Sequence, residues 1–253
     1  MYAKCIVFLN QKGGVAKSTS TYNIAAAKAQ EGKTVLMIDL DPQASLTIAA
    51  GLEPGEERLE GHSTCNLFDK TKDPLDSVFK VNEIEGLYLV PSDIDLARTE
   101  RELISVLSGE TKLSKAIRAF RGYFDYIFID CPPQLGLLSL NAMVAADEAV
   151  IPCKMDYLSY RGLKTMIEMI DEVKEADLNP NLRIKGIIGT FYEANVVTQR
   201  QVFSKIQRLG FPILGTVRKS ADISRNVVKG LPVLVALPVS KTAKEYQTIA
   251  NQL

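Results

Sequence analysis

Short apolar runs recur along the chain, each bounded by polar or turn-forming residues. Residues 5–9, 34–38, 87–90, 126–129, 149–152, 184–190 and 213–217 are runs of this kind, and residues 233–237 make an eighth candidate. Between most of them the apolar positions recur at helical spacing, as in 18–31, 94–107, 113–120, 162–176, 199–209 and 241–252. Strands apolar on both faces need cover on both faces, and helices between them supply it. Right-handed crossovers then wind the chain both ways. The pattern predicts an α/β fold with a doubly wound, mostly parallel sheet and helices on both faces. Residues 51–85 are the least regular stretch and read as loops with one short helix. No repeat, low-complexity tract or linker divides the sequence, so a single domain over residues 1–253 is the expectation.

Composition adds little to this outline. The chain is 46% hydrophobic and 24% charged, with a formal net charge of zero. That is ordinary globular usage and does not announce a nucleic-acid partner. The charge is uneven, however. From residue 183 to residue 244 there are 11 Lys/Arg against two acids, Glu193 and Asp222, a net of +9. Such asymmetry predicts a basic face, against the plainer reading of scattered solvated lysines. Cys5, Cys65, Cys131 and Cys153 have no paired spacing and His62 is the sole histidine, so reduced thiols rather than a Cys/His metal site are expected. No apolar leader opens these residues and no apolar run reaches the roughly 20 residues that cross a bilayer, which predicts a cytoplasmic protein.

The chemistry collects where the strands end. In a doubly wound sheet, ligands sit at the carboxyl ends of the strands. The first run is followed by "NQKGGVAKST", the second by Asp39-Leu40-Asp41-Pro42, and the run 126–129 by Asp130. An ordinary phosphate loop reads G-x-x-x-x-G-K-[ST]. Here Gln11 and Ala16 stand at the two framing glycines, and Lys12 is an added lysine before Gly13-Gly14. Glycines let successive N–H groups of Gly13, Gly14, Val15 and Ala16 face inward as an anion nest. The helix beginning near Ser18 and Thr19 adds its positive end. Lys17 is placed for the β/γ phosphates of ATP, Ser18 for Mg²⁺, and Asp130 as the carboxylate behind that ion. A chance match to K-G-G-x-x-K-[ST] is on the order of one in a thousand at average usage. Ala16 costs around 1 kcal/mol if its φ is positive and almost nothing otherwise. Asp39-x-Asp41 also has a plainer reading, less favoured even on the residues alone, as a helix cap and turn before Pro42.

That loop resembles the deviant phosphate loop of the ParA/MinD ATPases. "VLMIDLDPQASLT", "GLYLVPSDIDLARTERELI", "YFDYIFIDCPPQLGLLSLNAMVAADEAVIP" and "GLPVLVALPVSKTAKEY" follow the ParA/Soj partition ATPases in order, over essentially the whole chain. The resemblance implies an ATP-dependent homodimer in which Lys12 reaches the partner's phosphates, much as an arginine finger does in trans. It implies that Asp41 positions the attacking water and that Asp39 supports the metal shell. It further implies slow ATP hydrolysis stimulated by a ParB-type centromere-binding partner, non-specific DNA binding in the ATP state, association with the nucleoid, and no membrane.

The match thins where the family contacts DNA. Asn195 and Asp222 stand where Soj-like members carry arginines, and Val217-Arg218-Lys219-Ser220 replaces the usual I-P-R-N. Arg200, Lys205, Arg208, Arg218, Lys219, Arg225 and Lys229 lie nearby, and a relocated patch on these is the expectation, since phosphate binding needs local charge rather than fixed positions. The alternative is a switch that positions proteins or regulates replication through protein contacts, with little DNA binding. A MinD-like membrane role calls for a basic amphipathic tail, which Thr248–Leu253 does not supply.

Overall fold

The structure, a computed structural model, describes residues 2–81 and 84–253. In chain order its main elements are β1 (Lys4–Phe8), α1 (Lys17–Gln30), β2 (Val35–Asp39), α2 (Ser45–Ala49), β3 (Phe79–Lys80), β4 (Leu87–Val90), α3 (Leu96–Leu103), α4 (Lys112–Phe120) and β5 (Tyr126–Asp130). Then follow α5 (Leu137–Ala145), β6 (Glu148–Lys154), α6 (Tyr157–Glu175), β7 (Arg183–Thr190), α7 (Val197–Gln207), β8 (Ile213–Val217), α8 (Ala221–Val227), α9 (Val233–Ala236) and α10 (Lys241–Ala250). Among the described residues eight strands make one sheet in the order β3-β4-β2-β5-β1-β6-β7-β8. Every neighbouring pair is parallel except β3 with β4.

The central strands are apolar between their ends because each face is covered. Cys5, Val7 and Leu9 of the β1 region point into one core with Ile117, Phe120, Met143, Leu163 and Ile206 of α4 to α7. Ile6 and Phe8 point into the other, with Ile24, Leu46, Val233 and Tyr246 of α1, α2, α9 and α10. The period-2 alternation of a strand thus feeds two separate cores. Helix α1 is buried almost all round, and its Ala25-Ala26-Ala27 run lets the sheet, α2 and α10 approach closely.

Three expectations need correction. Residues 233–237 are not a strand. Val233–Ala236 is a helical turn, begun by Pro232 and capped from a distance by Asn23, whose Oδ1 accepts the Val233 N–H at 2.8 Å. The irregular stretch holds three 3₁₀ turns (Glu57–Leu59, Thr64–Phe68 and Pro74–Ser77) and the antiparallel β3 rather than one helix; its residues 82 and 83 lie outside the described residues. The helix expected at 94–107 is α3, Leu96–Leu103, and the chain then turns so that Gly109 packs against the Leu103 carbonyl. No helix among the described residues is long and apolar enough to cross a membrane.

Candidate active site

Parallel pairing brings the three strand ends together. Phe8 of β1 and Asp39 of β2 are both register partners of Asp130 on β5. The loop after β1 therefore opens directly beside two carboxylates. Its backbone is held from both sides. Asn10 donates to the Pro152 carbonyl at 2.7 Å and accepts the Lys12 N–H at 2.9 Å, and the Thr190 hydroxyl donates to the Val15 carbonyl at 3.1 Å. Gly14 takes φ 69, and Ala16 takes φ 65 and ψ 37 immediately before α1. The positive-φ branch considered for Ala16 is the one adopted.

Gly13, Gly14, Ala16, Lys17, Ser18 and Thr19 line a cleft of about 510 Å³, closed on its far side by Asp41, Gln43, Ile48 and Pro133. Lys17 is 7% exposed, its Nζ 3.5 Å from the Lys12 carbonyl. Burial pushes its pKa down, opposed by the charges of Asp130 and Asp41. Asp130 is fully buried. Burial and then the Asp39 charge push its carboxyl well up, against the pull of Ser18 and Lys17. Its Oδ1 takes a long bond from the Thr21 hydroxyl at 3.4 Å, and its Oδ2 has no partner among the described residues. A buried acidic oxygen without a donor, next to a helix-terminal serine, is the chemistry of a group awaiting a cation. The described residues contain no cluster of three or more His, Cys, Asp or Glu that could hold a metal unaided, so such a cation needs oxygen ligands from a bound phosphate or water.

Asp39 and Asp41 divide their work. Asp41 lines the cleft, and its Oδ1 accepts the Gln43 N–H at 2.9 Å. Asp39 faces away into the protein. Its Oδ1 accepts the Asp41 N–H at 3.1 Å, and its Oδ2 accepts both the N–H and the hydroxyl of Thr47 at 2.8 Å. Burial raises its pKa to about 7 despite those donors. Asp39, expected in the metal shell, does not line the cleft; both its oxygens are spent on holding the turn that carries Asp41.

Lys12 does not enter its own cleft. Its Nζ lies 2.9 and 3.1 Å from the two oxygens of Asp156, which caps α6 by accepting the Ser159 N–H at 2.8 Å. Burial alone would raise the Asp156 carboxyl, but the Ser159 N–H and Lys12 outweigh it and hold it down at about 2. Sequence reasoning missed Asp156. The only local signal was its position three residues before Ser159, as a helix cap.

The basic residues are less united than expected. Arg218 and Lys219 follow β8, and Arg200 lies in the first turn of α7 after β7, so these three share the carboxyl edge with the phosphate loop. Arg183 and Lys185 begin β7, and Arg208 ends α7, at the opposite edge. The run of positive charge along the chain is thus cut in two by strand direction. Arg218 is moreover paired with Glu245 at 2.7 Å, one residue beyond the basic stretch, and Arg225 lies 3.7 Å from Asp222. Lys229 is exposed in the turn after α8, and Asn195 is exposed before α7. A second cavity of about 400 Å³ lies among Glu56, Glu60, His62 and Asp93; its carboxylates would repel a phosphate.

Comparison with known proteins agrees with this architecture. A family profile described as an AAA domain matches residues 3–184. The sporulation initiation inhibitor protein Soj of Bacillus subtilis is 34% identical over 99% of this chain and 98% of its own length. The chromosome-partitioning ATPase Soj of Treponema pallidum is 31% identical over 99% and 96%. Among solved structures, cobyrinic acid a,c-diamide synthase from Mycobacterium smegmatis, with bound ATP analogue and magnesium, superposes at TM-score 0.84 with 31% identity, covering 98% of this chain and 93% of that one. The chain belongs to the ParA/Soj family of P-loop ATPases.

Proposed function

We propose that this chain is an ATP-driven partition switch, a single ATPase domain that binds ATP with Mg²⁺ at the loop of residues 12–19, dimerises on it, and binds DNA non-specifically in that state. The observation that carries the ATP site is the buried Lys17, which lines the cleft with Gly13, Gly14 and Ser18 and feels the charge of the buried Asp130, whose Oδ2 has no partner among the described residues. Ser18 and Asp130 are the residues that would hold Mg²⁺, and a bound Mg²⁺ would draw charge off the phosphate oxygens. The N–H groups of Gly13 to Thr19 orient the phosphates, Lys17 neutralises them, and Asp41 orients the attacking water. The Soj relatives and the magnesium-bound structural neighbour support this assignment.

Lys12 has the trans role. Its side chain is 33% exposed and its ammonium is held at the rim by its own subunit's Asp156, so a facing subunit can take it without disturbing the nest. A lone subunit thus stores the lysine that a dimer uses. The stimulating partner fits the ParB class, and Arg200, Lys219 and Lys229, with Arg218 and Arg225 once released from their acids, form the DNA contact. That contact would hold the protein on the nucleoid.

A second reading stays in play because Glu245 and Asp222 already neutralise Arg218 and Arg225. In it the ATP-state dimer is recognised by proteins rather than DNA. Sedimentation with random-sequence DNA separates the two, run with ATP, ADP or no nucleotide at low and high salt. The expected result is binding with ATP only, weakened by salt. ATP-driven dimerisation without DNA binding would establish the second reading.

A further inference from the structure

Thr47 lies on the short helix α2, is fully buried, and touches neither the nest nor the cleft. Its hydrogen-bonding capacity is nonetheless directed at the site. Its N–H and hydroxyl both donate to Asp39 Oδ2 at 2.8 Å, and its hydroxyl oxygen accepts the N–H of Ser92 at 3.0 Å. The hydroxyl therefore uses its one donor and accepts one bond in return. Asp39 passes the constraint on, because its other oxygen accepts the N–H of Asp41. On the main-chain side Thr64 closes the same turn, its hydroxyl donating to the Asp39 carbonyl at 2.8 Å. A chain of bonds thus runs from the loop after β4, through Thr47 and Asp39, to Asp41.

We infer that Thr47 is a positioning residue for ATP hydrolysis, holding the Asp39–Asp41 turn so that the Asp41 carboxylate faces the cleft at a fixed angle. The inference rests on the reading that Asp41 orients the attacking water. Removing the Thr47 hydroxyl leaves a buried carboxylate oxygen with one donor and the Ser92 N–H without its acceptor. The strain falls on the turn that carries Asp41. The loop of Asn10 to Lys17, separate from that turn, keeps its own bonds, from Asn10 to the Pro152 carbonyl and from the Thr190 hydroxyl to the Val15 carbonyl. Nucleotide binding and the catalytic step should therefore part company.

The test is Thr47→Val, which preserves volume and branching, alongside Thr47→Ser, which preserves the hydroxyl. Steady-state ATP hydrolysis is measured with a fluorescent-nucleotide titration for affinity. For Thr47→Val we expect kcat to fall by about tenfold or more, with KM and nucleotide affinity held within about twofold. Thr47→Ser should restore most of kcat. If valine prevents folding, Thr64→Val loosens the same turn from its other side and should give the same kcat-specific loss. Wild-type kcat in folded Thr47→Val, equal losses in kcat and nucleotide affinity, or no rescue by serine would each overturn the inference. A wild-type protein that binds ATP and hydrolyses none would overturn the proposed function and this inference with it.

Discussion

Ala16 enters the left-handed region at the last position before α1, and Ala44 does the same, at φ 52, before α2. There a Cβ crowds the following carbonyl oxygen, a strain of roughly 1–2 kcal/mol for any residue but glycine. Two strained alanines thus open the two helices that flank the cleft, where the backbone must turn sharply to aim its N–H groups. Ala16→Gly would restore the ordinary loop at this position. It relieves the strain, but glycine also gives the unfolded chain more freedom, worth about 0.4–1 kcal/mol in the opposite direction. The balance favours glycine by about 0.5–1 kcal/mol. Thermal unfolding without nucleotide should show Tm rising by roughly 1–3 °C in a chain of this length. A fall would mean that the Ala16 methyl makes contacts worth more than its strain.

Helices α2 and α8 are joined to α1 where two glycines cross. Gly51 ends α2 at φ 78 and Gly230 follows α8 at φ 65; a Cβ on Gly230 would lie 2.8 Å from the Gly51 nitrogen. The Gly230 carbonyl also accepts the Tyr22 hydroxyl of α1 at 2.8 Å. Gly230→Ala should therefore combine left-handed strain with overpacking of backbone on backbone, about 2–4 kcal/mol together. Gly210→Ala is the control, since Gly210 has φ 81 and open space around it, and it should cost only about 1 kcal/mol. Urea midpoints of the two variants measure the crossing by their difference, and equal losses would mean that the crossing gives way freely. This contact also marks the limit of what could be read from the chain alone. The strands and the phosphate loop were legible because a doubly covered strand is apolar along most of its length and the loop is built from ten consecutive residues. What escaped was whatever the packing brings from afar. Asn23 caps Val233, so "VLVAL" passes for a strand, and Asp156 meets Lys12 only after β6 has lain beside β1. Thr47 was legible as part of a motif but not as the clamp on Asp39, because its second partner, Ser92, comes from the loop after β4.

Strand direction decides which charges can answer to the nucleotide. Arg200, Arg218 and Lys219 stand directly after the carboxyl ends of β7 and β8, on the edge that carries the phosphate loop, with Arg225 and Lys229 further along the chain after β8, whereas Arg183 and Lys185 enter at the opposite edge. A DNA contact that depends on ATP should draw on the first group. Within it Arg218 is restrained, because its Nε and Nη2 both lie 2.7 Å from Glu245 Oε1. An exposed pair of this kind adds little stability, so Glu245→Gln should leave folding almost unchanged. It should instead release one cation to the phosphate backbone. DNA affinity in the ATP state should rise, and log K should fall more steeply with log salt, the slope growing by about 0.9 for one added phosphate contact. Lys185→Gln, on the far edge, should alter neither quantity. Sedimentation with random-sequence DNA over a salt series reads both. If Glu245→Gln leaves the slope where it was while ATP still drives dimerisation, Arg218 lies outside the DNA contact, and the surface that responds to ATP must be sought in Arg200 and Lys219 or in a protein partner.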